Sequence, residues 1–357
     1  KPYSLHVTLM FPPLQYKPSN TSEVALLRRE LRMESFRKQS FEVWHHYYES
    51  PKSKERFTTE QLDELNSVQF DNQYRKRNQI PFPYQLRAWR ERFGLSASRM
   101  SLLLDFGLNQ YRKYEEGEIP SDSNAAYLRL AQDSAILRRL VEAKRSELRT
   151  SEYDRVIGLL SSATPSVGDA VSRTKSEFWD ETAQPGSLTG YSVPNFEKFA
   201  QMVLYFYCSG LKKLFTVKLL KLLFYADFYH FQQTGRSISG ASYRAIPYGP
   251  VPNEYQIQIG LLIHTGYLTQ NLVTVKDQEE PVISYVPVAS KANRKVFSET
   301  EQAALDAVVK RLAFRPTAEI VDRVHQEKAW TENRETMKLI DYQQFGFMLQ
   351  PLPAQTR

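Results

Sequence analysis

The chain has 357 residues, 41% of them hydrophobic and 24% charged, which suits a globular protein of roughly two or three domains. Its 47 basic and 40 acidic residues leave a net charge of +7, compatible with a nucleic-acid contact but too mild to show one. The single cysteine, Cys208, excludes disulfides and multi-thiolate metal sites and fits a reducing cytoplasm.

The longest apolar stretch, around Lys218–Phe231, is interrupted by Lys221, Asp227 and His230. It falls short of the ~20 residues a bilayer needs, so no membrane span is expected. The N-terminus lacks an apolar run before a small-residue cleavage site, so no signal peptide is expected and the location expected is cytoplasmic.

In chain order, residues 1–20 are proline-rich without a clear period and read as an irregular lead-in. Within 21–75, FEVWHHYYES reads as a strand and FTTEQLDELN opens a helix that Thr58 or Thr59 caps. His45 and His46 form a tempting metal pair, but consecutive strand residues point to opposite faces, so no metal is expected there. Residues 76–150 read as helical with short polar turns, and 151–195 as a linker dense in Gly, Ser, Pro and Thr between 161 and 195. Residues 196–350 read as a second helical region in which Leu272–Val288 forms a small β-hairpin, and 351–357 as a tail. No internal repeat is visible.

The most informative run is LRAWRERFGLSASRMSLLLDFGLNQYRKYEEGEIPSDSNAAYLRLAQD, Leu86–Asp133. Leu86, Trp89, Arg90 and Phe93 mark one helix stopped by Gly94, and Ser96 caps a second with Met100, Leu103 and Leu104 on its apolar face. After a turn at Asp105-Phe106-Gly107, a short helix Asn109–Glu116 ends at Gly117. Pro120 and Ser121 open the next, with Tyr127, Leu128 and Leu130 facing inward. Two short helices joined by a tight turn and braced by flanking helices can offer one helix to the major groove. Tyr111 and Tyr114 face the core there, leaving Asn109, Gln110, Arg112 and Lys113 for solvent or DNA. Asn suits adenine and Lys suits guanine, while Arg92 and Arg99 suit phosphate. The plainer alternative is a helical protein-interaction module with a solvated charged face, which Glu115, Glu116 and Glu118 favour by diluting the basic charge.

This run, with GLS at 94–96 and YEEGEIPS at 114–121, resembles a Cro/repressor-type helix-turn-helix. GLNQYRKYEEGE further resembles the DNA-binding half of the MqsA family of antitoxins, in which an Asn and a basic residue four later read bases; here these are Asn109 and Lys113. The stretch Ser35–Leu65 resembles that family's β-rich N-terminal module, which zinc-binding cysteines hold together. Those cysteines are missing here, so zinc is not implied, and Phe36, Phe41, Trp44 and Tyr48 have to supply the packing.

The C-terminal half raises a different question. KLLFYADFYHFQQTGRSISGASYRAIPYGPVP starts as an amphipathic helix with a stripe of Leu220, Leu223, Phe224 and Phe228, then places aromatics, an arginine and two prolines on what is expected to be the surface. With LLIHTGYL, FSETEQAALDAVV and TAEIVDRVHQEKAW following in order, residues 196–350 resemble the Panacea domain of SocA-like antitoxins. The resemblance implies a domain that binds and neutralises a protein toxin. Tyr and Arg concentrate at such interfaces, which makes Tyr225, Asp227, Arg236, Tyr243, Arg244, Tyr248, Pro250 and Pro252 the candidate contacts. For Asp227, Arg236 and Tyr248 the alternative is an internal hydrogen-bonded network.

No phosphate loop, dinucleotide fingerprint or serine nucleophile elbow appears. Cys208 reads as a small buried hydrophobe, and Asp322, His325 and Glu327 as local contacts rather than an acid–base set. The expectation is a mainly α protein with small β elements: a β-rich N-terminal module at 1–75, a helix-turn-helix at 76–150 and the helical Panacea region. Its expected function is that of an antitoxin, not an enzyme, with a cognate protein toxin and operator DNA as partners, a homodimer on DNA, and no cofactor or metal. The rivals are a ligand-responsive transcriptional regulator without a toxin partner, and an enzyme with chemistry in the Tyr243–Pro252 loop.

Overall fold

A computed structural model describes residues 11–19, 23–107, 109–161, 184–211, 214–273 and 282–355. Of the sequence expectations, the lead-in at 1–10 and 20, the linker at 162–183, the centre of the hairpin at 274–281 and the last two residues of the tail lie outside the described residues. The protein is mainly α with small antiparallel sheets.

The N-terminal strands β1 (Gln15–Tyr16), β2 (Ala25–Phe36), β3 (Gln39–Glu49) and β4 (Arg56–Phe57) form one sheet in that order, followed by helix α1 (Glu60–Arg77). Thr59 starts α1 by accepting the Leu62 amide at 3.4 Å. Acidic Glu60 and Asp63 sit in its first turn and basic Arg75, Lys76 and Arg77 in its last, opposite in sign to the helix dipole at each end.

Contacts divide the chain into two compact units, and the boundary expected at residue 75 is not where they divide it. One unit gathers Lys1–Glu34, Glu42–Gln69 and Asp169–Arg357; the other gathers Ser35–Phe41 and Phe70–Gly168. The aromatics expected to pack one N-terminal module are shared out accordingly. Tyr48 stacks with Tyr16 and Phe57 in the first unit, while Phe36 and Phe41 pack on Tyr74, and Phe36 also on Phe70, in the second.

The second unit continues with α2 (Pro83–Arg92), α3 (Ala97–Leu103), α4 (Gln110–Glu115), α5 (Asp122–Ala131), α6 (Ser134–Ala143) and α7 (Thr150–Ser161). Leu86, Phe93, Met100, Leu103, Leu104, Tyr111, Tyr114 and Leu128 meet in its core, as their spacing predicts. Leu130, expected to face inward, is exposed because the buried stripe of α5 is Ala125, Leu128 and Ala131.

The first unit is built around α9, with helices α8 (Phe196–Cys208), α9 (Thr216–Thr234), α10 (Tyr255–His264), α11 (Glu299–Val308), α12 (Thr317–Val324), α13 (Lys328–Thr331) and α14 (Tyr342–Phe345). Strands β5 (Leu214–Phe215), β8 (Leu268–Val273) and β9 (Val282–Pro287) form a sheet in the order β5-β9-β8, and β6 (Tyr243–Ile246) and β7 (Gly249–Pro252) form a separate hairpin. The expected hairpin at Leu272–Val288 is thus β8 and β9, joined from Val273 to Val282 and extended by a third strand. No described helix is long and apolar enough to cross a membrane.

Candidate binding surfaces

Helix α9 is not amphipathic. From Leu219 to Phe231 every residue but Tyr229 is buried, including Lys221, Asp227 and His230, the polar residues that interrupt its apolar run. A helix apolar on nearly all sides belongs inside a domain, and its polar residues there need partners. The partners come from distant sequence, which periodicity along the helix does not reveal.

Asp227 is the clearest case. Its Oδ1 accepts the amides of Ile238 and Ser239, both at 2.8 Å. Its Oδ2 accepts the hydroxyls of Ser239 at 2.6 Å and Tyr243 at 2.8 Å. Burial pushes the carboxyl up to about 6 while these donors hold the charged form, so it is ionised at neutral pH. The chain can fold back onto Asp227 because Gly235 and Gly240 take left-handed conformations, with φ of 71° and 72°. At Gly240 any side chain would also strike the Val193 carbonyl.

His230 is neutral, its pKa lowered by burial to about 4. A carbonyl only accepts, so the 2.6 Å contact with Arg236 O fixes the proton on Nδ1 and leaves Nε2 to accept from Thr300 Oγ1 at 3.1 Å. Lys221 donates to Pro250 O at 3.0 Å, and burial lowers its pKa to about 7. Gly249, φ 97°, lies against it: a Cβ there would sit 2.8 Å from Lys221 Nζ and 2.6 Å from Val324 Cγ1. Glu327, raised by burial to about 7, accepts from Tyr225 Oη at 3.2 Å and from the Gln350 amide at 3.0 Å.

The two prolines also have a structural reason. Ala245 N and Tyr243 O bond to Lys338 O and Ile340 N on the far side of β6. That leaves Arg244 and Ile246 to face Val251 and Gly249, residues that possess amide hydrogens. Pro250 and Pro252 occupy the alternate positions, whose amides would point away from the ladder.

Of the eight residues expected as surface contacts, Tyr225, Asp227, Tyr243, Pro250 and Pro252 are therefore buried, and the surface expectation is corrected for them. Asp227 is the centre of an internal network, the alternative weighed for it. Arg236 and Arg244 are half-buried, and Tyr248 is 74% exposed at the two-residue tip Pro247-Tyr248. Arg244 bonds Asn253 Oδ1 at 2.9 Å and Met337 O at 2.8 Å, which brings the half-exposed Met337 beside the hairpin. Trp330 Nε1 donates to Ile246 O at 2.7 Å, and the Arg334 guanidinium lies 5.0 Å from the Trp330 ring centre. Arg334 and Met337 thus lie beside the hairpin that carries Tyr248. Sequence reading missed both because they lie beyond the last motif, and only the bonds to β6 bring them in.

His325 stacks on Trp330 at 4.1 Å and Asp322 is exposed, so they and the buried Glu327 do not converge on one point. Cys208 is exposed, contrary to expectation, because it is the last residue of α8, past the buried stripe. Among the described residues no group of three His, Cys, Asp or Glu is arranged for a metal.

Residues 219–331, α9 to α13, match the family model described as antitoxin SocA-like, Panacea domain. The C-terminal region carries a Panacea domain. Neither a curated protein nor a solved structure matches the chain. The Asp227 network, Lys221 and the hairpin all fall inside the Panacea domain, whereas Arg334 and Met337 lie just past the matched segment.

The short helices of the second unit hold the other candidate surface. Tyr111 anchors α4 by donating to Leu86 O at 2.8 Å, and Ser101 Oγ accepts its amide at 3.0 Å. Asn124 donates to the Tyr114 hydroxyl at 2.7 Å. Asn109, at φ 64°, is not in the helix but precedes it in a left-handed conformation. Asn109, Arg112 and Lys113 are exposed; Gln110 donates to Glu118 at 2.7 Å. Arg99 lies on α3, where Glu152 at 3.4 Å and the Glu147 carbonyl at 3.0 Å engage it. Glu115, one of the acids that seemed to dilute the basic face, is buried and paired with Arg90 at 2.6 and 3.1 Å. It contributes nothing to that face.

Proposed function

We propose that the protein is an antitoxin with two binding ends. The Panacea domain binds and neutralises a cognate protein toxin, and α3 with α4 acts as a helix-turn-helix that binds the operator of the protein's own operon as a dimer, since such modules read paired half-sites. The observation that carries the reading is the family match over residues 219–331. The exposed Tyr248 tip beside Arg244, Arg334 and Met337 supports a protein partner: it is an aromatic and arginine surface on a rigid frame, the composition that concentrates binding energy. Exposed Asn109, Arg112 and Lys113 support the DNA contact. The MqsA-like resemblance at Ser35–Leu65 enters this reading as an extra surface for dimerisation or toxin contact.

Co-expression with the product of the adjacent gene tests the toxin half: growth is restored by the full chain and lost when it is omitted. A neighbour that is harmless alone, or lethal with and without the chain, contradicts it. Gel-shift with the upstream DNA tests the other half. Asn109→Ala with Lys113→Ala should weaken the shift and leave growth rescue intact.

A further inference from the structure

Within the first compact unit, the N-terminal strands and the C-terminal end of α9 enclose a cleft of about 350 Å³. That volume is in the range of small-molecule sites. Its walls are apolar at Leu27 and Leu65, and its polar lining is cationic or neutral: Arg28, Arg29, His46, Gln232 and Gln233, with no carboxylate among the described lining residues.

Arg28 and Arg29 are consecutive on β2, so their side chains point to opposite faces; Arg29 shares the face of Leu27 and makes no hydrogen bond or close ion pair among the described residues. The acid whose field reaches Arg29 is Glu327, already engaged by Tyr225 and the Gln350 amide. His46, on the wall, is 3% exposed, and its Nδ1 has no hydrogen-bond partner among the described residues. A guanidinium without a close acid, set over apolar walls, repels cations and leaves an uncharged ligand without a match for the charge. A carboxylate attached to an apolar body answers both, since guanidinium–carboxylate bonds are charge-assisted and the body gains by leaving water.

We propose that this cleft binds a small organic monoanion, a carboxylate carrying an apolar chain or ring. The site lies outside the hairpin surface assigned to the toxin, and it is tested on the chain alone.

The test is calorimetric titration of the full chain with hexanoate, alongside hexan-1-ol as the uncharged counterpart and inorganic phosphate as the anion without a body. Hexanoate is expected to saturate in the ~1 mM range, with the alcohol and phosphate each at least about tenfold weaker. Arg29→Gln should weaken hexanoate about tenfold and leave the melting temperature of the free protein unchanged. Arg29→Met is a second variant with the same expectation, should the first disturb folding. No saturable hexanoate binding, equal binding of the alcohol, tighter binding of phosphate, or unchanged affinity in both arginine variants overturns the proposal.

Discussion

Helix α9 with its hairpin and helix α4 with its flanking helices solve opposite problems. Around α9, polar groups are drawn inside and satisfied one by one: four donors on Asp227, a carbonyl for Lys221, a carbonyl and a hydroxyl for His230. Around α4, Glu115 and Ser101 are drawn in, and Asn109, Arg112 and Lys113 remain in solvent. In the first region the polar residues fix a shape and leave the hairpin tip, with Arg334 and Met337, exposed. In the second, tyrosines fix the shape and the polar residues are left to touch a partner. Residue type alone does not tell a contact from a support; the hydrogen-bond partners do.

The largest expected effect sharpens that distinction. Asp227→Ala leaves two amides and two hydroxyls buried without their acceptor, and should cost about 5 kcal/mol in a denaturant titration. Arg90→Ala strands the buried Glu115 carboxylate and should cost about 3 kcal/mol in the same measurement. A loss below about 0.5 kcal/mol in either case would mean that the network or the pair is not structural.

Lys221 gives a pH signature. Its ammonium is lost near pH 7 in the folded chain and near 10.5 in the unfolded one. Between these the unfolded chain holds the extra proton, so stability from this group rises with pH from about 7 to about 10, on the order of 1 kcal/mol per unit. Lys221→Met should flatten that rise. Above pH 10 the buried tyrosines, Tyr243 among them, act in the opposite direction, because they ionise only in the unfolded chain. An unaltered slope in the variant would show that Lys221 is charged when folded.

Smaller still is the effect of Asn109→Ala with Lys113→Ala. Neither side chain is hydrogen-bonded within the described residues, so stability should change by less than about 0.5 kcal/mol while operator binding falls by about 1–3 kcal/mol per lost base contact.

Much of this arrangement is legible in the sequence where the signal is local. Gly94 and Gly235 stop helices where their spacing predicts, with φ of 61° and 71°. Ser96 caps α3 through the Arg99 amide, and Tyr111 and Tyr114 turn inward three apart. What the sequence hides depends on remote partners. Asp227 and Tyr243 read as surface binders until the chain reversal after Gly235 brings them within 2.8 Å of each other. Glu115 reads as a surface acid until Arg90, 25 residues earlier, covers it. The N-terminal aromatics read as one module because nothing in a strand's own pattern says that its two ends serve different cores.

The most direct measurement is the affinity of the purified chain for the product of the adjacent gene, the proposed toxin, compared between the unaltered protein and Tyr248→Ala. Tyr248 is exposed and carries none of the internal network. The expected result is a loss of about tenfold or more in affinity with an unchanged melting temperature. Equal affinity of the two proteins would contradict the proposal that the hairpin tip binds the toxin.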